Sequence, residues 1–155
     1  MSRNAETTHK IMSSIKSKDT RPEKALRREL WRRGLRYRKN VKKLPGKPDL
    51  VFTKAKIAVF CDGDFWHGHN WAIRGYGSLE NELKRYSDSW AKKIRNNIAR
   101  DNKNSKTLKD MGWTVIRVWE SDIKKDVKKC GDIIEYSYWN KIRQLKEDLN
   151  YEREI

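Results

Sequence analysis

The sequence predicts an α/β domain in which helices flank a mixed sheet. Three observations predict it. The runs DLVF (49–52) and KIAVFCDG (56–63) are β-prone and stand on either side of a polar turn at TKAK. A further β-prone run, WTVIRVWE, lies at 113–120. Segments with helical apolar spacing stand before, between and after these runs, and a sheet covered by helices buries all of those faces at once. A chain of 155 residues suits a single core, so one domain is expected.

Residues 1–18 are polar and basic, with isolated Ile11, Met12 and Ile15. They are expected to form a flexible arm with at most one helical turn, and the domain proper is expected to span 19–155. In KDTRPEKALRRELWRRG, Thr20 is an N-cap, Pro22 fits the first turn and Glu23 stands three residues after the cap. Ala25, Leu26 and Leu30 form an apolar stripe, and Gly34 ends the helix. LRYRKNV (35–41) reads as a short strand, followed by the turn KLPGKP. DLVF and KIAVFCDG then form a hairpin. Residues 64–86, with glycines at 68, 75 and 77, read as irregular. A long helix is expected from Asp88 to Asp110, with Trp90, Ile94, Ile98 and Leu108 on its buried side and Gly112 closing it. A last helix, roughly 131–149, carries Ile134, Tyr138, Ile142, Leu145 and Leu149 on a helical period.

The chain has 37 basic and 21 acidic residues, a net charge of +16 spread along its whole length. This imbalance points to a polyanionic partner, because lysine and arginine bind phosphates and release counterions. Seven tryptophans, six tyrosines and three phenylalanines argue against a disordered chain. No long apolar run predicts a membrane span, and MSRNAETTHK has no apolar leader core. Cys61 and Cys130 are the only cysteines, too few for a disulfide framework or a four-thiolate zinc site. A reducing cytoplasm is expected.

The densest chemistry is FCDGDFWHGHNW at 60–71. Asp49 opens the first hairpin strand and Asp62 ends the second, so the turn is expected to bring them near each other. Two acids at one sheet edge repel unless a cation lies between them, and oxygen donors suit Mg²⁺, which can activate water and neutralise a phosphodiester. Solvated turn aspartates are the alternative. His67 fits a general base or a phosphate contact, and equally an ordinary loop histidine. Glu23 reads as a capping-box residue, and as a site residue only if its helix docks beside the hairpin end. Asp64, His69 and His67 are too few for a structural zinc, which takes four closed ligands. Phe65, Trp66 and Trp71 are either core plugs or exposed wedges that open a base step, easiest at a weakly paired one. Trp90 fits the same side or the core.

Five blocks together carry a resemblance: SIKSKDTRPE (14–23), LPGKPDLVF (44–52), VFCDGDFWHG (59–68), NNIARD (96–101) and GWTVIRVWE (112–120). Over about residues 10–122 the chain resembles the Vsr (very short patch repair) DNA mismatch endonucleases, which share the PD-(D/E)XK restriction-endonuclease-like fold. The resemblance implies metal contacts at Asp49, at the backbone carbonyl of Cys61 and at Asp62. It implies His67 as base or phosphate contact, Glu23 and Asp101 in a supporting shell, and Phe65, Trp66 and Trp90 as the aromatics pushed into DNA. Relatives usually hold a structural zinc; here Asp64, His69 and Ser121 stand at the expected ligand positions, so no complete zinc site is expected. Loop 69–86 is then held by packing or hydrogen bonds.

The resulting expectation is a monomeric, Mg²⁺-dependent endonuclease, using one or two ions, that nicks one strand of duplex DNA at a T:G mismatch. The resemblance also implies association with a DNA cytosine methyltransferase system and a place in the prokaryotic nucleoid. A related nickase with another specificity, or a nuclease fold that binds DNA without cutting, are the other readings.

Overall fold

A computed structural model describes residues 19–155; the arm expected at 1–18 lies outside the described residues. The elements run α1 (Arg21–Arg32), β1 (Arg38–Lys39), β2 (Leu50–Phe52), β3 (Ile57–Asp62), α2 (Asn70–Ile73), α3 (Leu79–Leu83), α4 (Asp88–Asp110), β4 (Thr114–Trp119), α5 (Glu120–Lys125) and α6 (Val127–Glu154). The sheet has the order β1-β2-β3-β4, antiparallel except for the parallel pair β3–β4. The parallel pair needs a long crossover, and α4 supplies it. The expected mixed sheet flanked by helices is therefore the fold observed.

Local chemistry sets the boundaries. Thr20 and Glu23 form a capping box at α1, and Ser87 caps α4 through the amide of Trp90. Gly34 and Gly112 adopt φ of 84° and 91° just past α1 and α4. At both ends two backbone amides fold back: Gly34 and Leu35 onto Trp31 and Leu30, Gly112 and Trp113 onto Lys109 and Leu108.

Alternation along β3 divides the core into two faces. Ile57 and Val59 pack with Leu26 and Leu30 of α1 and with Ile134 and Ile142 of α6. Ala58 and Phe60 pack with Leu108 of α4 on the other face. Cys61 and Asp62, at the end of β3, consequently leave the sheet toward opposite faces. That division builds the site.

Three expectations shift. The strand expected over 35–41 narrows to Arg38–Lys39, because β1 is an edge strand paired to only two residues of β2. Residues 64–86 are not wholly irregular: α2 and α3 form there, organised by the fully buried carboxylate of Glu82, which accepts bonds from the Trp71 amide (2.5 Å) and Tyr86 hydroxyl (3.0 Å). The last helix is longer than 131–149, because Asp126 caps it earlier and no proline stops it. Leu149, expected on its buried stripe, is 54 % exposed, since the packed core ends at Ile142.

Candidate active site

The end of the β2–β3 hairpin, the start of α1, the middle of α4 and the end of β4 meet at one edge of the sheet. Two groups of charge form there, one on each face.

The first group is acidic. Asp49 Oδ2 accepts the Cys61 amide at 2.6 Å, which fixes the carboxylate at the hairpin end. Glu23 reaches it from α1. One oxygen of Glu23 accepts the Thr20 amide at 3.3 Å; the other, Oε1, is buried and has no hydrogen-bond donor. Glu23 thus caps its helix and faces the hairpin end at once, the docking that a double role requires. Burial, and the negative charges of Glu23 and Asp62, push the Asp49 pKa up to about 7, against the hydrogen bond from Cys61. Glu120, which accepts from the Thr20 hydroxyl at 3.2 Å, is also pushed up, chiefly by burial. Burial, reinforced by Asp49, Glu23, Glu120 and Asp62, keeps the Cys61 thiol protonated.

The second group balances its own charge. Arg117 of β4 lies opposite Phe60 in the register and stacks on its ring at 4.1 Å. Its Nη1 meets both oxygens of Asp62 at 3.1 Å, its Nη2 meets the Asp101 carbonyl at 3.2 Å, and its Nε meets Ser105 Oγ at 2.9 Å. His67 Nδ1 is hydrogen-bonded to Asp101 Oδ2 and lies 3.8 Å from Asp62 Oδ1. Burial pulls the His67 pKa down, but Asp101 and Asp62 outweigh it, and the pKa is raised. Burial also raises the Asp62 pKa, against the pull of His67 and Arg117.

The five residues expected at the site are therefore together, but not as one acid pair. Asp49 and Asp62 feel each other, while each carboxylate has its own partners. Asp62, His67 and Asp101 hold donor atoms within 4.8 Å of one another, a spacing that could hold a metal. Asp101 already engages His67 Nδ1, however, and a guanidinium already occupies both Asp62 oxygens. Among the described residues no cationic side chain bonds Asp49 or Glu23, and this pair, with its orphaned oxygen, fits a divalent ion better. Sequence reasoning missed Arg117 and Glu120. The alternation of WTVIRVWE beside a parallel neighbour is the signal that could have found them.

Beyond the site, Asp64 accepts from the Ser121 amide at 3.0 Å and the Ser121 hydroxyl at 2.7 Å, and its Oδ1 lies 2.8 Å from His69 Nδ1. The His69 ring stacks flat on Trp119, 3.9 Å between centroids and 4° between planes. The positions where the resemblance implies zinc ligands are thus already joined by hydrogen bonds. One imidazole, one carboxylate and a hydroxyl do not suit structural zinc. This clasp ties the loop to the end of β4. Asp64→Ala is expected to cost about 1–3 kcal/mol of stability by leaving its donors unmet. Thermal melts of both proteins with and without a zinc chelator check this: the variant melts lower, and the chelator changes neither.

Phe65 meets Trp66 and Trp90 edge to face, the two indoles are tilted against each other, centroids are 5.0–5.9 Å apart, and Tyr86 joins Phe65 at 5.2 Å. Lys93 Nζ lies 4.7 Å from the Trp66 ring centre and 5.4 Å from that of Trp90. The three expected aromatics are half-buried, neither core nor free. Gly68 seats this loop on α4: at φ 71°, an added Cβ would stand 2.7 Å from Ile98 Cδ1.

Residues 3–73 match the family model described as DNA mismatch endonuclease Vsr. The chain is 43 % identical to the type II nicking enzyme V.NmeDIP of Neisseria meningitidis serogroup C, over 92 % of this chain and 88 % of that one. It is 44 % identical to the type II nicking enzyme V.HpaIIP of Haemophilus parainfluenzae, over 77 % and 81 %. With the DNA mismatch endonuclease Vsr of Escherichia coli K12 it shares 33 % identity, over 76 % and 72 %.

Proposed function

From the premise that this chain is a DNA endonuclease of the Vsr family, we propose that it nicks one strand of duplex DNA beside a T:G mismatch, using Mg²⁺ held at Asp49. The observation that carries this reading is the half-buried Asp49 facing the buried Glu23: the raised pKa of Asp49 and the orphaned Oε1 of Glu23 mark a place for a cation. Asp49 and the Cys61 carbonyl would hold the ion, with Glu23 behind them. When bound, the ion supplies charge neutralisation and an activated water.

The other residues act on the phosphate. His67 commits Nδ1 to Asp101, which leaves Nε2 to meet the scissile group. Asp101 and Asp62 raise the His67 pKa above the ordinary imidazole value, which favours a role as phosphate contact and proton donor over that of base. Asp101, Asp62 and Arg117 hold its orientation and charge. Phe65, Trp66 and Trp90 open the stack at the mismatch, where unstacking costs least, and Lys93 beside them meets the backbone.

The higher identity to relatives named nicking enzymes supports a second reading: the same nick made with another sequence preference. Strand cleavage of end-labelled duplexes with Mg²⁺ separates the two, using a T:G duplex and its T:A partner in several flanking sequences. A nick only at T:G supports mismatch repair, equal cutting of both favours the second reading, and no cutting of either defeats both. Trp66→Ala is expected to lower the preference for T:G about tenfold, with matched-duplex binding little changed. An unaltered preference removes the wedge from the mechanism.

A further inference from the structure

The outer face of α1 carries a second feature, away from the carboxylates. A cleft of about 430 Å³ runs between α1 and the edge strand β1. Lys24, Arg28 and Arg32 project into it at successive i, i+4 positions of α1, and Lys39 faces them from β1. Trp31, 51 % exposed, and Tyr37 form its aromatic wall. Arg27 also lines it. That residue is 7 % exposed; its Nη2 bonds Asp19 at 2.9 Å, and its Nη1 has no partner. Among the described residues, no carboxylate pairs with Lys24, Arg28 or Lys39. Arg32 alone of the α1 stripe has a carboxylate partner, Glu29. The uncompensated cations Lys24, Arg28 and Lys39 around an aromatic-walled trough fit a chain of phosphates.

The position of the cleft says which phosphates. Lys24 follows Glu23 in α1, so the stripe starts level with the acidic group along the helix axis, on the adjoining face. Eight residues of helix advance about 12 Å, and one strand of duplex DNA advances about 3.4 Å per step. We propose that this cleft is a second DNA-backbone site, which grips the duplex over three to four base steps on one side of the cleavage centre. The proposal rests on DNA being the substrate and is independent of which base pair is recognised.

Equilibrium binding of the full chain to a fluorescent duplex, without metal and across a range of NaCl, tests it. Lys24→Gln, Arg28→Gln and Arg32→Gln together should lower the slope of log K against log salt by about 2–3, since each phosphate contact contributes about 0.9. The loss should be equal on T:G and T:A duplexes, because backbone contacts carry no sequence information. Shortening the duplex by four base pairs on one side should weaken the wild type and leave the triple variant unaffected. A control changes Lys128, Lys129 and Lys146, exposed on α6, to Gln. An unchanged slope in the α1 triple overturns the proposal and frees the face for an acidic protein partner. An equal fall in the control also overturns it, because net charge alone then explains the effect. A protein that never nicks but shows the α1-specific slope change would refute the proposed function and keep this site.

Discussion

Asp49→Asn is expected to abolish nicking while making the protein more stable. Asn keeps an oxygen to accept the Cys61 amide and removes a half-buried negative charge facing Glu23 and Asp62. The wild-type carboxyl titrates at about 7 in the folded chain, against an ordinary value of 3.8. A folded pKa above the unfolded one means that folding favours the proton. The wild type is therefore penalised progressively as pH rises from about 4 to about 7, and by a constant amount above that. Three pKa units set an upper limit of about 4 kcal/mol, so a gain on the order of 2–4 kcal/mol is expected at pH 8. For a chain of this size that is a Tm rise of roughly 5–10 °C, absent near pH 4. Mg²⁺ should raise the Tm of the wild type and leave that of the variant unmoved. The nicking rate should fall by at least about 10³, since charge stabilisation of this kind is worth several kcal/mol. Stability without activity is the signature of a site strained for binding a cation. A variant that melts below wild type at pH 8, or still nicks, would place the cation elsewhere.

The sequence made the parts of this site legible better than their partnerships. Asp49, Asp62 and His67 stood out because Pro48, the hairpin and the His-containing loop fix them locally. Glu23 was readable as a cap from Thr20 three residues before it. Its second role was conditional on where α1 docks, which is a tertiary fact set by Leu26 and Leu30 in the core. Arg117 was invisible for a similar reason. In a parallel pair, neighbours lie more than fifty residues apart, and nothing local to WTVIRVWE announces that Phe60 and Asp62 stand across from it. The clasp was half legible: the departures at Asp64, His69 and Ser121 marked the place where zinc ligands were expected, but the replacement bonds needed coordinates. The short helices α2 and α3 escaped because their stability comes from the buried Glu82, and propensity cannot report a contact with a carboxylate eleven residues away.

Arg117→Met is expected to do the opposite of Asp49→Asn: to cost stability first and activity as a consequence. Among the described residues Arg117 is the only guanidinium bound to Asp62, whose side chain is 7 % exposed, and it also holds the Asp101 carbonyl. Removing it leaves a buried carboxylate with His67 alone to balance it. Breaking such a pair typically costs about 3–5 kcal/mol. The Asp62 pKa is already raised, and without Arg117 it rises further. A raised folded pKa means the penalty is small in acid and grows as pH climbs past the ordinary carboxylate value, so the Tm difference between variant and wild type should widen with pH. Arg117→Lys should rescue little, because a single ammonium cannot bond Asp62, Ser105 and the Asp101 carbonyl at once. Asp62→Asn in the Arg117→Met background should recover most of the stability, since the uncompensated charge is gone. It should not recover nicking, because Asp62 also supports His67. Nonadditive Tm values in this double-mutant cycle, together with unrecovered cleavage, separate the two roles of the group. If Arg117→Met melts like wild type at pH 8, or Asp62→Asn adds a further loss, the arginine is not what balances this face. The site would then have to rest on His67 and Asp101 alone.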